Sequence, residues 1–169
     1  MFNLQPTLTG NILTLIPLQP DHFDDLYAVA ADPLIWEQHP RNDRYQKEVF
    51  REFFHEGLAS GGALLAQDAA DGRVIGSSRF HAYDPVNSEI EIGWSFLARS
   101  HWGGVYNSEM KRLMLRHAFE FVDRAIFVVD TQNLRSQRAV EKIGGVRVGS
   151  RPGPSGRWNA VFAVTRPTA

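Results

Sequence analysis

The chain has 169 residues, 43% hydrophobic and 22% charged, with a formal net charge of −1 at pH 7, which fits one domain over residues 1–169 with a substantial core. The near-neutral balance, with no run of Lys or Arg, excludes a nucleic-acid-binding surface and offers no membrane-surface segment. With no Cys there is no disulfide, no thiolate nucleophile and no Cys-based zinc site, and no pair of histidines has metal-ligand spacing, so no metal is expected.

Residues 12–18 are short, apolar and threonine-containing, with Pro20 after them, and read as a first strand. Asp21 then stands where a helix N-cap belongs, and Phe23, Leu26, Tyr27 and Ala30 follow at helical spacing. Asp32-Pro33 ends that helix, because the residue before a proline avoids the helical region. Residues 33–44, with two prolines and Trp36, show no regular pattern. A second helix is expected over 45–58, burying Val49, Phe50 and Phe53, until Ser60-Gly61-Gly62 breaks it.

Residues 63–67 and 73–83 read as two strands joined at Asp71-Gly72, a hairpin signal. In the next strand, 89–97, Ile90, Ile92, Trp94 and Phe96 alternate with Glu89, Glu91, Gly93 and Ser95, giving one apolar and one polar face. Gly93 marks a bulge or a close approach. From Val105 the period changes: Met110, Leu113, Met114, Ala118 and Phe121 form one helix face, while Glu109, Lys111, Arg112, Arg116 and Glu120 fill the others. Residues 125–129 form a short apolar strand of the buried kind. Asn133 opens another helix, which Gly144 closes, and 146–149 with 158–165 form a final hairpin.

Hairpins demand antiparallel pairing, whereas the helical crossover from 89–97 to 125–129 demands a parallel pair. The expected fold is α/β (α+β): a mixed, mostly antiparallel central sheet of about seven strands flanked by four helices.

The stretch 89–145 carries the chemistry. A strand ends in a glycine-containing turn that feeds a helix, His101-Trp102-Gly103-Gly104-Val105-Tyr106-Asn107-Ser108. Unpaired amides and the positive dipole end at such a helix start suit a phosphorylated ligand. Further on stands Asn133-x-x-Ser136, trailing into Glu141-Lys142-x-Gly144.

In this order and spacing, NILTLIPLQPDHFDDLYAVAAD, VIGSSRF, EIEIGWSFL, HWGGVYNSEM and NLRSQRAVEKIGG resemble the GNAT superfamily of N-acetyltransferases, most of all its ribosomal-protein N-terminal acetyltransferase branch. The resemblance spans nearly the whole chain. It departs at the loop, where Val105 and Asn107 occupy positions usually held by small residues, restricting how a diphosphate is gripped.

The resemblance implies acetyl-CoA as co-substrate and a primary amine as acceptor, a protein or peptide N-terminal α-amine being favoured and a small-molecule amine the other option. Amides from Trp102, Gly103, Gly104, Val105, Tyr106, Asn107 and Ser108 would hold the diphosphate. The backbone of Phe96 and Leu97 would pair with the pantetheine arm, and one of these amides would steady the oxyanion. Asn133 and Ser136 would approach from the other side, and Arg138 would meet the 3′-phosphate. Only a neutral amine attacks a thioester. Freeing an α-amine of pKa ~8 at pH 7 costs ~1.4 kcal/mol, against ~4.6 kcal/mol for a lysine. Glu91 is the candidate base, with Glu89 and His81 near it. No Tyr follows Ala125 to protonate the leaving thiolate, which leaves Ser136 as the group at the sulfur.

A non-catalytic acyl-CoA-binding regulatory module is the alternative reading. A dinucleotide oxidoreductase fails because no Gly-x-Gly-x-x-Gly follows a strand. Residues 1–18 lack the pattern of a signal peptide, and no apolar run approaches ~20 residues, so a cytoplasmic protein off the membrane is expected. An exposed strand edge in the final hairpin would permit a homodimer.

Overall fold

The computed structural model describes residues 1–154 and 156–168. The chain runs β1 (Leu8–Thr9), β2 (Leu13–Pro17), α1 (Phe23–Ala30), α2 (Pro33–Trp36), α3 (Lys47–Ser60), β3 (Ala63–Asp68), β4 (Val74–Asp84), β5 (Glu89–Leu97), α4 (Val105–Ala118), β6 (Arg124–Asp130), α5 (Leu134–Lys142), β7 (Val146–Pro152) and β8 (Trp158–Thr165). One sheet takes all the strands in the order β1-β2-β3-β4-β5-β6-β8-β7, with β5 and β6 its parallel pair.

This is the expected mixed sheet with two short elements added. β1 is a two-residue strand on β2. The one-turn α2 is started by Asp32, whose carboxylate accepts the Leu34 N–H at 3.1 Å, with Pro33 at the first helical position. Both are too short to show periodicity. Asp21 does not cap α1; it sits inside a 3-10 turn, Pro20–His22, where Gln19 and His22 exchange backbone and side-chain bonds.

Two apolar clusters cover the two faces of the sheet. Leu64, Ala66, Ile90 and Ile92 pack with Met110 and Met114 of α4 on one side. Ala63 and Leu65 pack with Phe50, Phe53 and Phe54 of α3 and with Trp36 on the other. Phe96 belongs to this second cluster, not to that of Ile90 and Ile92, so the single apolar face expected along β5 is corrected. Between the pairs Arg79↔Gly93 and Ser77↔Phe96 the register slips, and Trp94 there adopts φ 53°. The bulge expected at Gly93 is present, and its extra residue turns Trp94 and Phe96 to the opposite face.

Candidate active site

β5 and β6 pair over three residues only, Glu89↔Arg124, Ile90↔Ala125 and Glu91↔Ile126. Beyond Glu91 each strand keeps its other neighbour: β5 follows β4 as far as Gly76↔Leu97, and β6 follows β8 as far as Asp130↔Asn159. The sheet therefore parts into a seam just where the bulge bends β5. A cavity of about 630 Å³ lies there, lined by Glu91 and Ser95 of β5, Val128 and Asp130 of β6, Lys111 of α4 and Ser136 of α5, among others.

The seam exposes backbone. The Ala98 N–H donates to the Ile75 C=O at 2.8 Å, so by alternation the N–H and C=O of Leu97 turn away from β4. The Leu97 C=O accepts from Trp102 Nε1 at 2.9 Å, leaving the N–H turned to the seam. Phe96, by the same alternation, addresses its backbone to Ser77 of β4 while its ring packs 5.0 Å from Trp36. Of the two residues expected to offer an edge, only Leu97 does.

A 3-10 turn, Arg99–His101, and then Gly103 and Gly104 lead into α4. Both glycines have φ near 100° (114° and 99°), where a side chain is strained. No side chain caps α4. The Ser108 N–H makes the first helical bond, to the Gly104 C=O at 2.8 Å, and the Trp102 N–H bonds the Arg99 C=O at 3.1 Å. These two amides, expected among the donors, are thus already committed. Those of Val105, Tyr106 and Asn107 precede the first helical bond, with the two glycines before them. The Asn107 side chain lines the seam.

The loop is anchored from behind. His101 is buried, with Nε2 2.8 Å from Asp68 Oδ2 and Nδ1 2.8 Å from Ser100 Oγ. The Tyr106 hydroxyl donates to the same Asp68 oxygen at 3.2 Å, so its side chain serves this anchor. The Ala70 N–H and then His101 hold the Asp68 carboxyl below its ordinary range. In front, α5 lies along the loop. The Arg135 guanidinium sits 4.1 Å from the Trp102 ring centre, and Lys142 Nζ abuts Gly104. Arg135, Arg138 and Lys142 share one helix face by their spacing, which places exposed Arg138 on the loop side of α5.

Inside the seam, burial raises the Glu91 carboxyl above its ordinary value, against the opposing pull of Arg151, His81 and Arg79. Glu89 is tied to Arg124. His81 stands opposite Glu91 on β4 but is exposed. Asn133 is buried and caps α5, its Oδ1 accepting the Ser136 N–H at 3.3 Å, and both residues line the cavity. Lys111 is also buried, donating to Ser95 Oγ at 2.6 Å and to Asn107 Oδ1 at 3.4 Å. The far end of the cavity is built from Trp36, His39, Arg44, Glu56 and Asn159, drawn from the irregular 33–44 segment, α3 and the closing hairpin.

Residues 13–146 match the family described as the Acetyltransferase (GNAT) domain. The chain belongs to the GNAT acetyltransferases. A chain from T. thermophilus is 30% identical, with a TM-score of 0.78 over 98% of this chain and 92% of that one. A GCN5-related N-acetyltransferase from Brucella melitensis is 21% identical, with a TM-score of 0.84 over 95% and 79%. Mycobacterium smegmatis RimJ in complex with CoA-disulfide is 15% identical, with a TM-score of 0.76 over 98% and 90%. No curated protein matches the sequence.

The candidate site of this GNAT acetyltransferase also holds residues that sequence reasoning passed over. Lys142 lies in the Glu-Lys-x-Gly motif, and its i+4 relation to Arg138 was the available signal. Lys111 gave none, since a lysine on an amphipathic helix reads as solvated. Asp68 and His101 are 33 residues apart and meet only through the β3–loop contact. Among the described residues no helix is long and apolar enough to cross a membrane.

Proposed function

We propose that this single-domain acetyltransferase moves an acetyl group directly from acetyl-CoA to a primary amine, with a protein or peptide N-terminal α-amine as the favoured acceptor. The observation that carries this reading is the open seam between β5 and β6, with the uncapped start of α4 beside it. The fit to a CoA thioester rests on three features. The amides from Gly103 to Asn107 and the cations Lys142 and Arg138 suit the phosphates. The Leu97 N–H, turned into the seam, suits a pantetheine amide. The seam itself opens on a cavity of about 630 Å³, which offers room for the arm.

The roles follow from placement. Glu91, in the seam wall and raised by burial, takes the proton of the attacking amine directly or through a water. Asn133, with Oδ1 committed to its cap, has its amide N–H groups for the arm. Ser136 hydrogen-bonds the departing sulfur. Calorimetry with acetyl-CoA, followed by thiol-release assays on peptides and small amines, tests the reading: heat and turnover are expected. Heat without turnover on any amine would instead favour the acyl-CoA-binding module, and no heat would end both.

A further inference from the structure

A guanidinium group in the far wall of the cavity and a second one buried behind it have no acceptor among the described residues. Arg44 lines the wall and forms no ion pair among the described residues. Its face lies 4.5 Å from the Phe53 ring centre and 5.7 Å from that of Trp36. Stacking of this kind fixes the plane and leaves the N–H edge available. Among the described residues the side chain within hydrogen-bond distance of that edge is His39, with Nε2 3.3 Å from an Arg44 nitrogen. But His39 Nδ1 accepts the Arg41 N–H at 2.9 Å, which places the ring proton on Nε2. Nε2 is then a donor facing a donor. Burial, then Arg44, pushes His39 down to about 3, so the ring is neutral.

Arg79 stands behind, 6% exposed, its guanidinium 5.7 Å from the same Phe53 ring and 4.4 Å from that of Trp94. Its buried Nε has no hydrogen-bond partner among the described residues. Burial and then Arg41 push Arg44 down to about 10, with Arg79 adding to the repulsion and Glu56 and Asp43 opposing it. Arg41 also lines the cavity but is paired with Asp43. The balancing charges are Glu56 and Glu91, both in the cavity wall and neither ion-paired among the described residues. The site therefore presents carboxylates and guanidinium groups together between the apolar rings of Trp36 and Trp94.

Resting on the acetyltransferase reading, we propose that the acceptor is a zwitterion: a primary amine that also carries a carboxylate, with the carboxylate held by the N–H edge of Arg44. Glu91 faces the ammonium end, Glu56 stands near enough to Arg44 and Arg79 to offset part of their charge, and Arg79 adds positive potential from behind. A polyamine would bring a second cation against Arg44 and is disfavoured. The carboxylate belongs either to a free amino acid or to an acidic side chain close to a peptide N-terminus.

Matched acceptors test this: an amino acid against its carboxamide, an Ala-Asp peptide amide against Ala-Asn, and spermidine. Thiol release gives kcat/KM for each with the wild type, Arg44→Met and Arg44→Lys. The acid of one pair is expected to exceed its amide about 10- to 100-fold, and the pair that shows this identifies the source. Arg44→Met should abolish the preference through KM, leave the amide and the KM for acetyl-CoA within about threefold, and be partly rescued by Arg44→Lys. Equal use of acids and amides, a preference for spermidine, or an equal loss on both members of a pair overturns the proposal. Turnover of none, with acetyl-CoA still bound, overturns it while the cofactor site stands; failure to bind acetyl-CoA overturns both readings.

Discussion

Lys111 Nζ lies 2.6 Å from Ser95 Oγ in the wall of the seam, and its other acceptor is the Asn107 amide oxygen. Ser95 Oγ is in turn 2.8 Å from Ser78 Oγ. An ammonium held only by neutral oxygens has lost its hydration without gaining a counter-charge. Burial accordingly pushes Lys111 down to about 7.

Lys111 should make the protein less stable in acid. Its folded pKa lies below the unfolded value, so between about pH 7 and 10 the unfolded chain binds more protons than the folded one. Unfolding free energy rises with pH across that window and is lowest below it, where the folded protein must hold the charged form. The deficit there is of the order of 4 kcal/mol. Lys111→Met keeps the length and removes the charge. Thermal melts should show Tm raised by about 5–10 °C at pH 6 and a flattened rise between pH 7 and 9. An unchanged or lower Tm at pH 6 would contradict a charge buried at this cost.

As the proposed base, Glu91 should set the acid side of catalysis. A base works only when ionised, and burial has raised this carboxyl, so the rate should fall as pH drops through a value above the ordinary carboxylate range. Glu91→Gln should lower kcat about 100-fold, abolish that acid limb and leave the KM for acetyl-CoA unchanged. Stability runs the other way. A raised folded pKa contributes most below the unfolded pKa and is lost as pH rises through the folded one. The Gln variant should therefore match the wild type in acid and be the more stable at pH 7 and above. A pH–rate profile of unchanged shape would remove Glu91 from the chemistry.

Much of the frame was legible because it rests on local signals. Glu89–Leu97 has the bounds that alternation marks, and the parallel pair follows from the crossover helix. Alternation did not tell which face each half of β5 would take. Apolar residues at 90, 92, 94 and 96 keep period two in the sequence, and a single bulge residue reassigns the last two. α3 and α2 offer an apolar surface on that other face, so the reassignment has somewhere to go.

The site divides in the same way. Gly103, Gly104 and the Asn133-x-x-Ser136 cap are consequences of short-range geometry and could be read. Lys111 and Arg44 take their character from burial, which exists only once the seam opens and α2, α3 and β4 close around it. Glu109 makes the same point. Its place outside the apolar face of α4 suggests a solvated residue, yet its carboxylate accepts the N–H groups of Ile12 and Leu13 at 2.7 and 3.0 Å, 97 and 96 residues away.

Lys142 and Gly104 give the loop its sharpest test. Lys142 Nζ lies where a side chain at Gly104 would begin. The end of a lysine yields easily, so that clash alone costs little. The φ of 99° does not yield, and an L-residue there costs about 1–2 kcal/mol. Gly104→Ala should thus weaken acetyl-CoA binding about 10-fold by tilting the first amides of α4. Lys142→Met leaves the backbone alone and removes one charge. Its affinity loss should be about 3- to 10-fold at low salt and fade at high salt, since exposed charges are screened. Pantetheine, which lacks the phosphates, separates the two functions of the site in a calorimeter. Its binding should be the same in wild type and Lys142→Met, because the lysine is proposed to meet only the phosphate end. A loss equal to that for CoA would mean that Lys142 supports the fold of the loop and not the charge of the ligand.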